Sequence, residues 1–214
     1  MILLTSAKMP DGLDKDTLAN AVWLMFPNPR NQKYFNEIRC RTNVQAACES
    51  LFALAMLYDK ITELPCASID TSDLIFSRSE VGKPYFENSE IKFNVSHSKG
   101  YVACAVSMGE ELGVDIEASE ISPERAEKLA KRYFGTLDQQ DIASSPEVFA
   151  RKWTEKEAKA KFFGKSIGNI LSTDKKSCDN QVFDEIIIHR FRFDNIPISL
   201  CTKRQFSTIT FTIQ

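Results

Sequence analysis

Leu112-Gly113-Val114-Asp115-Ile116-Glu117 is the stretch from which the fold is best read outward. Side chains of a strand alternate between faces, so Val114 and Ile116 turn one way while Asp115 and Glu117 turn the other. The apolar face belongs in a core. Before it, residues 74–77, 91–95 and 101–106 are further short apolar or alternating runs divided by turn residues, and they predict strands. After it the period changes. Residues 123–134 predict a helix with Ser122 as N-cap and Pro123 in the first turn, and residues 146–163 a second helix closed by Gly164. Residues 183–193, 196–200 and 206–213 alternate again and predict antiparallel strands. Upstream, residues 2–8 predict a first strand and 13–26 a helix halted by Pro27-Asn28-Pro29. Residues 31–60 predict a long helical region, with Val44, Ala47, Leu51, Leu54 and Leu57 at helical spacing. The order strand, helices, strands therefore runs twice. It predicts an α+β protein of two halves, residues 1–108 and 109–214, without a sequence repeat or flexible linker between them.

Composition sets the class. A hydrophobic share of 43% against 26% charged residues is that of an ordinary globular protein, and 15 phenylalanines supply a core. A net charge of −2 gives no electrostatic ground for a nucleic-acid or membrane partner. No run approaches the roughly 20 apolar residues needed to span a bilayer. The six cysteines, Cys40, Cys48, Cys66, Cys104, Cys178 and Cys201, show no metal-type spacing and are expected to be buried, reduced thiols. A cytoplasmic monomer is the expectation.

Chemistry concentrates in five segments. Asp115 and Glu117 place two carboxylates on one strand face, which suits a hard divalent ion such as Mg²⁺; the plain alternative is a solvated acidic edge strand. In ARKWTEKEAKAKFFGKSIG, residues 150–168, helical spacing puts Phe149, Trp153, Ala160 and Phe163 on an apolar stripe. Glu157 and Lys161 border it on one side and Lys156 on the other. A carboxylate at a core margin needs a partner or a metal; an i,i+4 ion pair is the simpler account. FNVSHSKGYVACAV, residues 93–106, displays Ser96 and His97 at a strand end. Adjacent residues make a poor nucleophile pair, and an imidazole that hydrogen-bonds a phosphate is simpler. His189, in an apolar strand, reads as structural. In SEVGKPYF, residues 79–86, Lys83 projects from a Gly82–Pro84 bend. Arg39 and Arg41 open the long helical region, a face that is otherwise solvated. Three acids with Arg, Lys and His donors from separate segments are the parts for gripping a multiply phosphorylated substrate through a metal.

The blocks GKPYF, FNVSHS, GVDIE and WTEKEAKAK, with AKRYF at residues 130–134, closely resemble the signature of the large, surfactin-synthetase-activating class of 4′-phosphopantetheinyl transferases. The resemblance spans roughly residues 80–165. It implies a single-chain pseudo-dimer of two similar α+β halves with coenzyme A in the cleft between them. It also implies transfer of phosphopantetheine to a serine of an apo acyl or peptidyl carrier protein, with Mg²⁺ as the metal and Mn²⁺ as a substitute. By the resemblance, Asp115, Glu117 and Glu157 hold the metal against the pyrophosphate. His97, Lys83 and Arg41 contact the 3′-phosphate and adenosine end beside Ser96, with Arg39, Arg30 or Lys33 as alternatives to Arg41. Lys156 and Lys161 lie near the pyrophosphate, and Glu157 and Lys161 act in catalysis. Gly164-Lys165-Ser166 departs from the family's frequent Gly-Lys-Gly, leaving the loop less backbone freedom. The competing readings are a non-catalytic coenzyme A- or nucleotide-binding module, another metal-dependent phosphotransferase, and a purely structural protein. The last leaves the SHS, GKP and DxE segments without a reason.

Overall fold

The computed structural model of the chain describes residues 1–65, 69–168, 185–203 and 208–213. Strand β1 (Ile2–Lys8) leads to helix α1 (Lys15–Met25), which starts where the Asp14 carboxylate accepts from the amides of Asp16 and Thr17. The helical region expected over residues 31–60 is broken in two. Helix α2 (Gln32–Arg39) stops at Cys40, and α3 (Val44–Thr62) starts anew where the Asn43 side chain accepts from Ala46 N at 3.0 Å. A capping asparagine ends one helix by favouring the start of the next. Arg39 therefore closes α2, and Arg41 sits in the link.

Strands β2 (Phe76–Arg78) and β3 (Pro84–Phe86) form a hairpin, followed by β4 (Ile91–Ser98) and β5 (Tyr101–Met108). The phenylalanine-rich core of this part gathers Phe26, Phe76, Phe86 and Phe93, with Phe76 and Phe86 4.7 Å apart. Next come β6 (Leu112–Ile116), α4 (Pro123–Tyr133) capped by Ser122, α5 (Thr136–Ser144) and α6 (Pro146–Phe163). The C-terminal cap of α6 is Gly164, whose φ of 57° is the left-handed conformation that favours glycine. Strands β7 (Ile186–Phe193), β8 (Ile196–Lys203) and β9 (Ile209–Ile213) complete the chain order. The fold is α+β. One sheet runs β4-β5-β1-β9 and another β6-β8-β7.

Two elements, β3 and α5, were not anticipated. The last strand also departs from expectation: β9 pairs in parallel with β1, Ile2 opposite Ile209, and not antiparallel with β7 and β8. Of the cysteines, Cys48, Cys104 and Cys201 are buried thiols, whereas Cys40, at the end of α2, is exposed. Cys66 and Cys178, and Phe183 and Phe206 from the expected strand ranges, lie outside the described residues. Among the described residues no helix is long and apolar enough to cross a membrane.

The site is positioned by β6, which lies between α6 on one side and β4 and β5 on the other. A Cβ built on Gly113 would stand 2.2 Å from Ala158 O and 2.4 Å from Phe162 N, so the backbones of β6 and α6 nearly touch. The face of α6 against β6 and β8 is Thr154, Ala158 and Phe162, with Thr154 Oγ1 2.8 Å from Ser199 Oγ. The stripe expected from spacing is buried or partly buried but divided: Phe149 and Trp153 pack with Phe134 and Tyr133 around α4, and Phe163 packs against a separate cluster with Phe162 and Ile186. The small residues at 154 and 158 let the helix approach, an effect a hydrophobicity pattern does not register.

Candidate functional site

Alternate residues of β4 stitch the two sheets together. Asn94, Ser96 and Ser98 share one face of the strand and all reach β6 or the residues just beyond it. Asn94 Oδ1 accepts from Val114 N at 2.8 Å. Ser96 Oγ donates to Asp115 Oδ1 at 2.7 Å. Ser98 Oγ donates to Glu117 Oε1 at 2.7 Å and accepts from Ala118 N at 3.1 Å. This polar seam holds the two acidic side chains in place, and Asp115 is 6% exposed, so the acidic strand face is not a solvated one. From α6, Lys161 Nζ donates to Asp115 Oδ1 at 2.8 Å, to Ser96 Oγ at 2.9 Å and to Val114 O at 3.1 Å. Three protons meet three acceptors.

Ser96, His97, Asp115, Glu117, Trp153, Glu157 and Lys161 line one recess of about 310 Å³. Segments 19 to 65 residues apart in sequence thus converge on it. His97, Glu157 and Lys161 also border a neighbouring cleft of about 370 Å³, whose other walls include Arg41, Arg78, Lys83, Lys165 and Ser166. On the far side of Glu117 a broader depression of about 730 Å³ opens toward Ser119, Ile121, Arg151 and Arg192. It is larger than either, yet the acids and the histidine converge at the smaller pair, where the chemistry is denser.

The basic residues divide. Arg41 Nη1 donates to Ser50 Oγ at 2.8 Å inside the cleft wall. Arg30, Arg39 and Lys33 face Glu87, Asp16 and Glu37 instead, at 2.8, 3.3 and 4.0 Å. Of the four, Arg41 is the one that lines the cleft. Lys83 lines it too, but its ammonium folds back to Glu111 and to Leu112 O at 3.0 Å. Lys156 lies over the Phe134 ring, 5.0 Å from its centre, on the α4 side of the helix. His189, 3.1 Å from Thr202 Oγ1 between strands β7 and β8, lines neither cavity.

Sequence reasoning passed over Arg78, which lies 4.5 Å from the centre of the Tyr34 ring at the cleft, and the stitching pair Asn94 and Ser98. The period-two polarity of F-N-V-S-H-S was the available signal. It also passed over Glu49 and Ser50 of α3, which flank the His97 ring at 2.7 and 3.1 Å. Glu49 falls on a helical face with Ala53 and Met56, where a carboxylate is out of place.

Electrostatics follow burial. Burial raises the Glu157 carboxyl above the ordinary carboxylate range, and the nearby charge of Asp115 raises it further, against the pull of Lys161. Burial likewise raises Asp115, opposed by Lys161. Burial lowers both Lys83 and His97, with Glu111 and Glu49 acting in the opposite sense. Among the described residues no three acidic, imidazole or thiol groups are gathered closely enough to hold a metal unaided. The donor set nevertheless suits Mg²⁺. Three carboxylates line one recess, Lys161 offsets their mutual repulsion at Glu157 only in part, and a hard ion needs only one or two carboxylates beside phosphate oxygens and water.

Comparisons with known proteins show the family. The sequence profile described as the 4′-phosphopantetheinyl transferase superfamily matches residues 111–210. The 4′-phosphopantetheinyl transferase AcpT of Salmonella typhi is 31% identical over 141 residues, covering 63% of this chain and 70% of AcpT. The chain belongs to the 4′-phosphopantetheinyl transferase family. Among other transferases of that name, gsp of Aneurinibacillus migulanus is 29% identical over 173 residues, 78% of this chain and 68% of gsp. Sfp of Bacillus subtilis strain 168 is 34% identical over 106 residues, 46% of this chain and 45% of Sfp. In this transferase the departing residue Ser166 stands in the cleft wall just beyond α6.

Proposed function

We propose that the chain moves the 4′-phosphopantetheine group of coenzyme A to a serine of an apo acyl or peptidyl carrier protein and releases 3′,5′-ADP. The observation that carries this reading is the junction of an acidic recess with a basic cleft through His97, Glu157 and Lys161. A dinucleotide-like substrate with a diphosphate in its middle and a phosphate at its end matches that order of charges.

In this reading Arg41, Lys83, Ser96 and His97 bind the 3′-phosphate and adenosine end, with Arg78 and Lys165 as further cations of the cleft. Asp115, Glu117 and Glu157 would hold Mg²⁺ or Mn²⁺. When bound, the ion supplies positive charge against the diphosphate. The carrier serine oxygen bonds to the phosphorus that bears pantetheine, and the bond from that phosphorus to the bridging oxygen of the diphosphate breaks. Glu157 accepts the serine proton, for which a carboxyl raised by burial is suited. Lys161, held within the recess by Asp115, stabilises charge on the departing phosphate. The depression beyond Glu117 gives the partner's serine a route of approach. The nucleophile belongs to the partner, so the chain needs no catalytic serine.

Intact-mass spectrometry of apo carrier proteins incubated with this protein, coenzyme A and Mg²⁺ tests the proposal. The expected result is addition of one phosphopantetheinyl group, lost with EDTA. Unmodified carriers across fatty-acid, polyketide and nonribosomal-peptide types would refute it.

A further inference from the structure

Helix α3 carries a carboxylate in its buried side. Glu49 is 4% exposed, yet both oxygens are filled. His97 Nδ1 stands 2.7 Å from Oε2, while Gln45 Nε2 at 2.9 Å and Gly100 N at 2.5 Å donate to Oε1. Gly100 lies in the β4–β5 turn, where Lys99 and Gly100 both have positive φ, 47° and 83°. Glu49 therefore ties that turn and the end of β4 to α3. Burial of a charge is tolerated where donors surround it in this way.

A carboxylate only accepts, so the His97 proton must sit on Nδ1. Nε2 is then left toward the cleft, 3.1 Å from Ser50 Oγ. That hydroxyl also accepts from Arg41 Nη1 at 2.8 Å and lies 2.7 Å from Ala46 O. Ser50 has one proton and two acceptors for it while the ring is neutral. When Nε2 also carries a proton, the ring donates to Ser50 or to an incoming anion and the serine proton goes to Ala46 O, which satisfies every member. The charged groups acting on the ring are Glu49 of α3, Arg41 of the α2–α3 link and Lys161 of α6. Of these, Glu49 alone favours the cation.

We propose that Glu49 is a positioning residue for coenzyme A: it fixes the His97 ring with Nε2 presented beside Arg41 and balances the ring's charge when a phosphate monoester binds there. The proposal rests on the reading of this cleft as the coenzyme A site.

Two variants, E49A and E49Q, test it, with circular dichroism to verify folding; the near-isosteric glutamine guards against a collapse of the alanine variant. The ring is read by ¹⁵N NMR of the two histidines, assigned with His189→Gln. Binding of coenzyme A and of 3′-dephospho-coenzyme A is read by calorimetry. The expected wild-type signature is a proton on Nδ1 of His97, lost or mixed in the variants. Coenzyme A should bind about tenfold more weakly to both variants, the loss of one hydrogen bond to a charged group, and the dephospho form within about twofold of wild type. An unchanged ring signature would overturn the proposal, and so would equal losses for the two ligands. A wild type that binds both ligands alike would instead overturn the placement of the 3′-phosphate, while the ring signature still decides whether Glu49 orients His97.

Discussion

Gly113→Ala adds one methyl group where strand and helix backbones meet, and the structure sets its effect. The new Cβ would stand 2.2 Å from Ala158 O, whereas ordinary contact begins at 3.4 Å, so α6 must retreat from β6 by about 1.2 Å. Backbone atoms cannot rotate aside as a side chain can. Overpacking of this kind costs about 1–3 kcal/mol, and the upper end applies because both partners are main chain. The same displacement carries Lys161 away from Asp115. Their 2.8 Å contact would pass the limit of a hydrogen bond, removing a further ~1.5–3 kcal/mol for a charge-assisted bond. A misplacement of about 1 Å in a catalytic group lowers turnover roughly 10²-fold. Urea titration followed by tryptophan fluorescence measures the first effect, since Trp153 lies on α6, and carrier-protein modification by mass spectrometry measures the second. A variant with wild-type midpoint and rate would refute the claim that this close approach sets the site.

Glu157→Gln should leave the far-ultraviolet spectrum unchanged and lower transfer by at least about 10²-fold, as expected for loss of a general base; a near-normal rate would exclude both of its proposed roles. Asn94→Ala strips Val114 N of its acceptor inside the seam and should cost about 1–3 kcal/mol in denaturant titration. Burial holds the folded His97 ring below 6.5, so as pH falls past that value the unfolded chain takes up a proton that the folded chain does not. Stability should therefore decline as pH drops from 6.5 through the lowered folded value, and His97→Gln should flatten that part of a pH–stability curve. Dialysis against EDTA should abolish transfer without unfolding the chain, and added Mg²⁺ or Mn²⁺ should restore it.

The strand at residues 112–116 and the helices ending at Tyr133 and Phe163 were legible because their signals are local: alternation, Ser122 with Pro123, and Gly164. The acids and the Ser-His segment were legible as chemistry for the same reason. What escaped depends on partners distant in sequence. The Asn43 cap is a side-chain choice that helical spacing overrides on paper but not in the chain. The face of α6 against β6 and β8 joins Phe162 to Thr154 and Ala158, small residues set by the nearness of Gly113 and not by hydrophobicity. Lys83 reads as a projecting cation from its turn, yet Glu111 draws it back across 28 positions. Glu49 gains its meaning only from a histidine 48 residues later.

The parallel pairing of β9 with β1 reaches beyond the site. Without its neighbour, Ile2–Ser6 would present a row of bare peptide groups at the margin of a sheet, beside largely apolar side chains. Such a margin recruits strands from other molecules. A truncation after Lys203 would therefore act less as a shortening than as the unmasking of an adhesive surface, and self-association would precede any loss of the recess chemistry.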